Sequence, residues 1–172
     1  MADIEIQMLT PPDWRKYKAL RLASLQDSPD AFGSTYQKEI NFDEAQWRVR
    51  LDAEPQTKSI LPLVAVIDAV AAGLAFGVRH NPNDRTIHVY QMWVAKSARG
   101  YGIGRLLLQK IVDWAVLMDV ELVSLEVTAT NIAAVKLYQT MGFKAEAALE
   151  PLREGSKILV KTMTYDVKKD RS

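Results

Sequence analysis

The chain has 172 residues, 48% of them apolar and 25% charged, with 22 Lys plus Arg against 21 Asp plus Glu. A chain of that length makes one domain that buries roughly 70% of its unfolded surface, and the balanced charge excludes a general electrostatic pull towards nucleic acid or an anionic membrane. The absence of cysteine excludes disulfides, thiolate nucleophiles and cysteine-based metal centres, and it is compatible with a reducing, cytoplasmic compartment.

The N-terminal Met1-Ala2-Asp3-Ile4-Glu5 lacks the positive start and apolar run of a signal peptide. Ile4-Glu5-Ile6-Gln7-Met8 alternates and predicts a first strand. Thr10-Pro11-Pro12-Asp13 signals a helix start, and the helix should run through Leu25, before Ser28-Pro29. Residues 31–36 read as a loop. Asn41 or Asp43 could cap a second helix carrying Trp47, Val49 and Leu51. Strands over 63–67 and 73–78 then form an antiparallel pair around Asp68-Ala69-Val70-Ala71, a turn without the Asn-Gly or Asp-Gly that tight hairpins prefer. The apolar stretch containing them is broken by Pro62, Asp68, Gly73 and Gly77, whereas a membrane span needs ~20 largely uninterrupted apolar residues.

Asn81-Pro82-Asn83-Asp84 is a turn, and a strand over 87–94 leads from it into Arg99-Gly100-Tyr101-Gly102-Ile103-Gly104. A helix opens directly on that loop and should run over 103–118, with Arg105, Gln109 and Asp113 on a polar stripe. Glycines before a helix leave its first N–H groups unobstructed, and the helix dipole favours negative charge there, so the loop suits a phosphate. A dinucleotide fingerprint fails because Arg105 or Leu107 stands where its last glycine should be, and a nucleotide P-loop fails because Arg105-Leu106 replaces Lys-Ser/Thr. Residues 123–128 alternate as a strand, Thr130 or Asn131 caps a helix through Thr140, and Gly142 ends it. A last strand covers 158–165, and the tail from about 167 to 172 should fray.

Arg99-Gly100-Tyr101-Gly102-Ile103-Gly104 fits the Gln/Arg-x-x-Gly-x-Gly/Ala signature of the GNAT superfamily of N-acetyltransferases, and Asn131 through Phe143 resembles its Asn-x-x-Ala-x-x-x-Tyr-x-x-x-Gly-Phe segment. The resemblance covers essentially the whole chain. It implies a single α/β (mixed α+β) domain: a mostly antiparallel mixed sheet with one splayed parallel strand pair, flanked by about four helices. It also implies acetyl-CoA as co-substrate, no metal, and direct transfer of the acetyl group through a tetrahedral intermediate to a primary amine on a small molecule or protein. Nucleic acid and membrane are not implied partners, and a homodimer stays open. A domain that binds acyl-CoA without catalysis is the alternative.

By the same resemblance Met92, Trp93 and Val94 lie along the cofactor, with backbone groups of Met92 and Val94 pairing to the pantetheine arm. The N–H groups of Arg99, Gly100, Tyr101, Gly102, Ile103, Gly104 and Arg105 would hold the pyrophosphate. Arg99 or Arg105 could add a guanidinium fork, although Arg105 could equally lie on a solvated helix face. Tyr138 is the candidate general acid for the departing thiolate, since a phenol with a pKa of ~10 stays protonated at neutral pH; a tyrosine packed in the core is the plain alternative. Asn131, seven residues earlier and so within roughly 20° on the same helix face, either touches the cofactor or only caps its helix. Glu126 is the candidate general base, or an ordinary residue if its strand has one wet face. Gln91 cannot be a base. Phe32 and Tyr36 could line the acceptor pocket. His80 and His88 belong to no metal set.

Overall fold

Seven strands form one sheet in the order β1-β2-β3-β4-β5-β7-β6 in the computed structural model, which describes residues 3–52 and 59–169. The strands are β1 (Ile4–Met8), β2 (Ser59–Ile67), β3 (Val70–Arg79), β4 (Thr86–Val94), β5 (Leu122–Thr128), β6 (Lys144–Pro151) and β7 (Leu159–Asp166). Five α-helices flank them among the described residues: α1 (Trp14–Asp27), α2 (Tyr36–Glu39), α3 (Glu44–Val49), α4 (Ile103–Leu117) and α5 (Ile132–Thr140). Every neighbouring strand pair is antiparallel except β4 with β5. The mixed sheet with one parallel pair is therefore present as expected. No described helix is long and apolar enough to cross a membrane.

Two cores result because side chains alternate across β2 and β3. Leu63, Ala65 and Ala75 face α4 and α5, whereas Val64, Val66, Leu74, Phe76 and Val78 face α1 and α3. The stripe Ile103, Leu107, Leu108, Ile111, Val112 and Ala115 seats α4 on the sheet, each large member contributing about 1.5–3 kcal/mol by burial. Gly73 and Gly77 make room for it: a Cβ at Gly73 would lie 3.2 Å from Ile103 Cγ2, and one at Gly77 would lie 3.1 Å from Ile111 Cγ2. On the other face α1 buries Tyr17, Leu20, Arg21, Ser24 and Leu25, so its inward stripe has polar members. Between the two candidate caps of α3 the structure selects Asp43, which accepts from Gln46 N–H at 2.8 Å while Gln46 Oε1 accepts from Asp43 N–H.

Three expectations are corrected, and one strand is added. The hairpin between β2 and β3 turns on Asp68 and Ala69 alone, with φ of 48° and 68°, and Val70 and Ala71 belong to β3. Asp68 tolerates this left-handed geometry because its carboxylate accepts from Asp3 N–H at 3.0 Å, while its own N–H donates to the Asp3 carbonyl. Residues 31–36 are not all loop, since a 3-10 turn ends at Ala31 and α2 begins at Tyr36. Lys144–Pro151 forms β6, which the Ala- and Glu-rich sequence does not signal; pairing with β7 overrides local propensity. The tail does not fray at 167: Val167 is fully buried, its N–H donates to the Glu121 carbonyl, and Lys168 pairs with Glu121 at 3.3 Å. Residues 170–172 lie outside the described ones.

Candidate active site

The parallel pair is joined at only three positions, Thr86 with Leu122, Ile87 with Val123 and His88 with Ser124. Beyond them β5 keeps its pairing with β7 as far as Thr128, while β4 bends away at Gln91, whose φ is 57°. The pairing of β3 with β4 shifts register at that point, as an inserted residue in a strand requires. The bulge is held from the side: the Tyr17 hydroxyl donates to Gln91 Oε1 at 2.7 Å. A gap therefore opens between two strands that would otherwise pair, and it leaves part of the β4 edge without a strand partner.

A cavity of about 540 Å³ fills this gap and is lined from both faces of the sheet. Asn131, Ala134 and Tyr138 reach it from α5, and Met92 from β4. Glu126 enters from the opposite face, since Val123, Leu125 and Val127 of its strand point into the α4 core. Tyr138 is 7% exposed, and its hydroxyl has no hydrogen-bond partner among the described residues. Burial pushes the Tyr138 phenol up to about 12, so it holds its proton at any ordinary pH and is free to donate it. Asn131 caps α5 by accepting from Ala134 N–H at 3.2 Å, and the same residue lines the cavity. Both of its expected roles are thus open to it.

Glu126 is solvent-exposed, so its strand has one wet face there. It stands across the gap from Tyr90, whose phenol is raised first by burial and then by the negative charge of Glu126. The Tyr90 hydroxyl lies 2.8 Å from His80 Nε2. Burial, followed by repulsion from His80, lowers the pKa of His88, which also lines the cavity.

At the end of β4 the chain makes a 3-10 turn at Lys96–Ala98 and then meets Gly100 and Gly102. Both are left-handed, with φ of 90° and 78°, and nothing lies within 4 Å of where a Cβ would be. Gly102 occupies the N-cap of α4 and offers no side-chain cap. The N–H groups of Ile103, Gly104 and Arg105 consequently have no capping side chain to bind, the condition under which a helix start attracts an anion. Arg99 is already engaged: its guanidinium donates to the Val94 carbonyl at 3.0 Å and to Asp27 at 2.8 Å. Asp27 also accepts from the Trp93 indole at 3.0 Å, and hydrogen bonds from Ser28, Trp93 and Arg99 hold its carboxyl low. The Trp93 side chain thus packs towards α1, and only its backbone remains for a cofactor. Arg105 donates to the Thr140 hydroxyl at 3.1 Å, and Tyr101 is 57% exposed.

Of the two expected acceptor-pocket residues, Phe32 lines the cavity and Tyr36 does not. Sequence reasoning missed Arg21, Glu39 and Arg50, which line it from the α1–α3 side. Glu39 is fully buried and pairs with Arg21 through two bonds of 3.0 and 2.9 Å. Arg50 joins it through Nη1 at 2.7 Å, and the same nitrogen donates to the Tyr17 hydroxyl at 3.2 Å. Burial alone would raise the Glu39 carboxyl, but the two guanidiniums outweigh it and hold it low. Helices α1 and α2 and the end of α3 contribute these groups at no fixed sequence spacing, so no motif could have announced them.

Residues 22–143 match the family model described as the acetyltransferase (GNAT) family. N-acetylaspartate synthetase from Xenopus tropicalis is 34% identical over 87 residues, 51% of this chain and 32% of that protein. The chain spans less than half the length of the curated relatives it matches. Spermidine N-acetyltransferase from Vibrio cholerae, solved in complex with CoA and spermine, has a similar fold, with a TM-score of 0.75, 20% identity and coverage of 98% of both chains. The yncA protein from Salmonella typhimurium, solved with its cofactor acetyl-CoA, gives a TM-score of 0.73 at 18% identity, the match covering 96% of this chain and 94% of that one.

Proposed function

The chain belongs to the acetyltransferase (GNAT) family, and from that premise we propose that it transfers an acetyl group from acetyl-CoA directly to a primary amine. The cleft suits this donor in three places. Uncapped amides at the start of α4 suit the pyrophosphate, and the β4 edge freed beyond His88 offers N–H and C=O groups to the pantetheine amides. The Tyr138 hydroxyl, on a buried ring that lines the cavity, suits the sulfur.

In the reaction the amine nitrogen attacks the thioester carbonyl, the tetrahedral intermediate collapses with cleavage of the C–S bond, and the leaving thiolate takes a proton. Tyr138 supplies that proton and recovers one from solvent afterwards. The proton lost by the amine passes to Glu126 or to water beside it. The observation that carries this reading is the partnerless Tyr138 hydroxyl, held protonated inside a cavity shared with Asn131 and Glu126. A packing tyrosine would have its hydroxyl paired, and a domain that only senses acyl-CoA would have no use for a proton donor at the sulfur.

The absence of cysteine suits action in a reducing, cytoplasmic compartment. The names of the similar proteins point to acceptors of opposite charge, aspartate (as the amine that becomes N-acetylaspartate) in one case and spermidine in the other. Tyr138→Phe tests the assignment through release of free CoA with a panel of amines. Turnover should fall by about 10²–10⁴-fold, the usual contribution of general acid catalysis, with acetyl-CoA affinity nearly unchanged. Undiminished turnover would remove Tyr138 from the role.

A further inference from the structure

Four charged side chains line the cavity besides His88, and they are segregated: Arg21, Glu39 and Arg50 on the α1–α3 side, Glu126 on β5. Glu39 is fully satisfied by Arg21, whose Nε and Nη2 engage both of its carboxylate oxygens. Among the described residues the Arg21–Glu39–Arg50 cluster therefore carries a formal charge of +1, two guanidiniums sharing one carboxylate. The Arg50 guanidinium is fixed in place, stacked 4.7 Å over the Phe42 ring and tied through Nη1 to Tyr17 and Glu39, with 28% of the side chain exposed. Nε and Nη2 of Arg50 have no partner among the described residues. Nη1 of Arg21, buried behind it, also has none. A half-buried guanidinium that shares its one described carboxylate with a second arginine and keeps a donor edge unused among the described residues gains from an anion that completes it, and that edge matches a carboxylate bidentately. The Glu126 carboxylate on the other wall attracts a cation.

Resting on the acetyl-transfer reading, we propose that the acceptor is an amine bearing a carboxylate, an amino acid in class, whose carboxylate docks on Arg50 while its ammonium turns towards Glu126. The single excess charge fits a monoanion, and the opposed walls fit a zwitterion. A polyamine would place positive charge against Arg50 with nothing to offset it.

The test compares each of several α-amino acids with its carboxamide and its decarboxylated amine, and with spermidine, following acetyl-CoA-dependent release of CoA by the intact protein. The carboxamides have the more readily deprotonated amine, so basicity alone would favour them. The account expects kcat/KM for the preferred amino acid to exceed that of its carboxamide by about 10- to 100-fold, the range of hydrogen bonds to a charged group. Arg50→Gln should raise KM for the amino acid by a similar factor relative to the KM of its carboxamide; Arg50→Lys, which keeps the charge but not the fork, should fall between. Equal or faster turnover of the carboxamides, the decarboxylated amines or spermidine overturns the proposal while acetyl transfer stands. Failure of acetyl-CoA to raise the Tm, with no turnover of any amine, overturns both.

Discussion

The role proposed for Tyr138 rests on a property that burial creates. The raised pKa, about 12, keeps the phenol protonated inside the cavity and removes any penalty from alkaline solution. Log kcat should therefore rise as the amine deprotonates and show no descending limb up to about pH 10; a fall centred near the ordinary phenol value of about 10 would mean that Tyr138 is not shielded as described. Glu39 is the other decisive residue. With both guanidiniums depending on its carboxylate, Glu39→Gln should cost about 3–5 kcal/mol of stability, as removal of one partner from a buried ion pair does. Urea unfolding at neutral pH measures it, and a loss below about 1 kcal/mol, typical of a surface pair, would contradict the burial. Tyr138 was legible in the sequence because its spacing from Asn131 and Gly142 is local. Arg21 and Arg50 were not, because a buried arginine and a solvated one look alike until the helices around them are placed.

At the level of elements, the loop before α4 was readable because its glycines do something backbone geometry demands. Gly100 and Gly102 are left-handed and Gly102 caps the helix without a side chain. Gly102→Ala should cost about 1 kcal/mol through strain alone and should also weaken acetyl-CoA binding several-fold, since the new methyl stands before the uncapped amides. Gly155→Ala, at φ of 76° in the turn between β6 and β7 with equally open space, provides the control. It should cost similar stability and leave the affinity unchanged, as calorimetry with acetyl-CoA can show. Equal effects of the two variants on affinity would mean that the loop is only a turn. The tight two-residue turn at Asp68-Ala69, within a hairpin that the sequence did signal, and the edge strand β6 were illegible for the opposite reason. Each adopts a conformation its own residues do not prefer, held by Asp3 in one case and by β7 in the other.

For the molecule as a whole, one device connects stability with function. The parallel pair β4–β5 closes at one end and is held open at the other by the Gln91 bulge, which Tyr17 ties to the Arg21–Glu39–Arg50 cluster. The mixed sheet was implied by the family resemblance, but the linkage was not, because it joins residues far apart in the chain. The same cluster sets the acid response. The Glu39 carboxyl is depressed below its ordinary 4.5, so its contribution is fully present above the unfolded-state pKa and is lost as pH falls through the lower folded-state value. The urea midpoint should stay level from neutral pH to about 5 and decline below about 4, and Glu39→Gln should flatten that decline. An unchanged decline in the variant would assign acid unfolding to other carboxylates.

Direct acetyl transfer itself is tested by following free CoA, acetylated amine and the mass of the protein together in one reaction with acetyl-CoA and a competent amine. The account predicts that CoA and acetylated amine appear one for one, only when the amine is present, while the protein's mass stays unchanged. Acetyl-CoA that binds without any amine-dependent release of CoA, or a protein that gains a kinetically competent acetyl group, would contradict it.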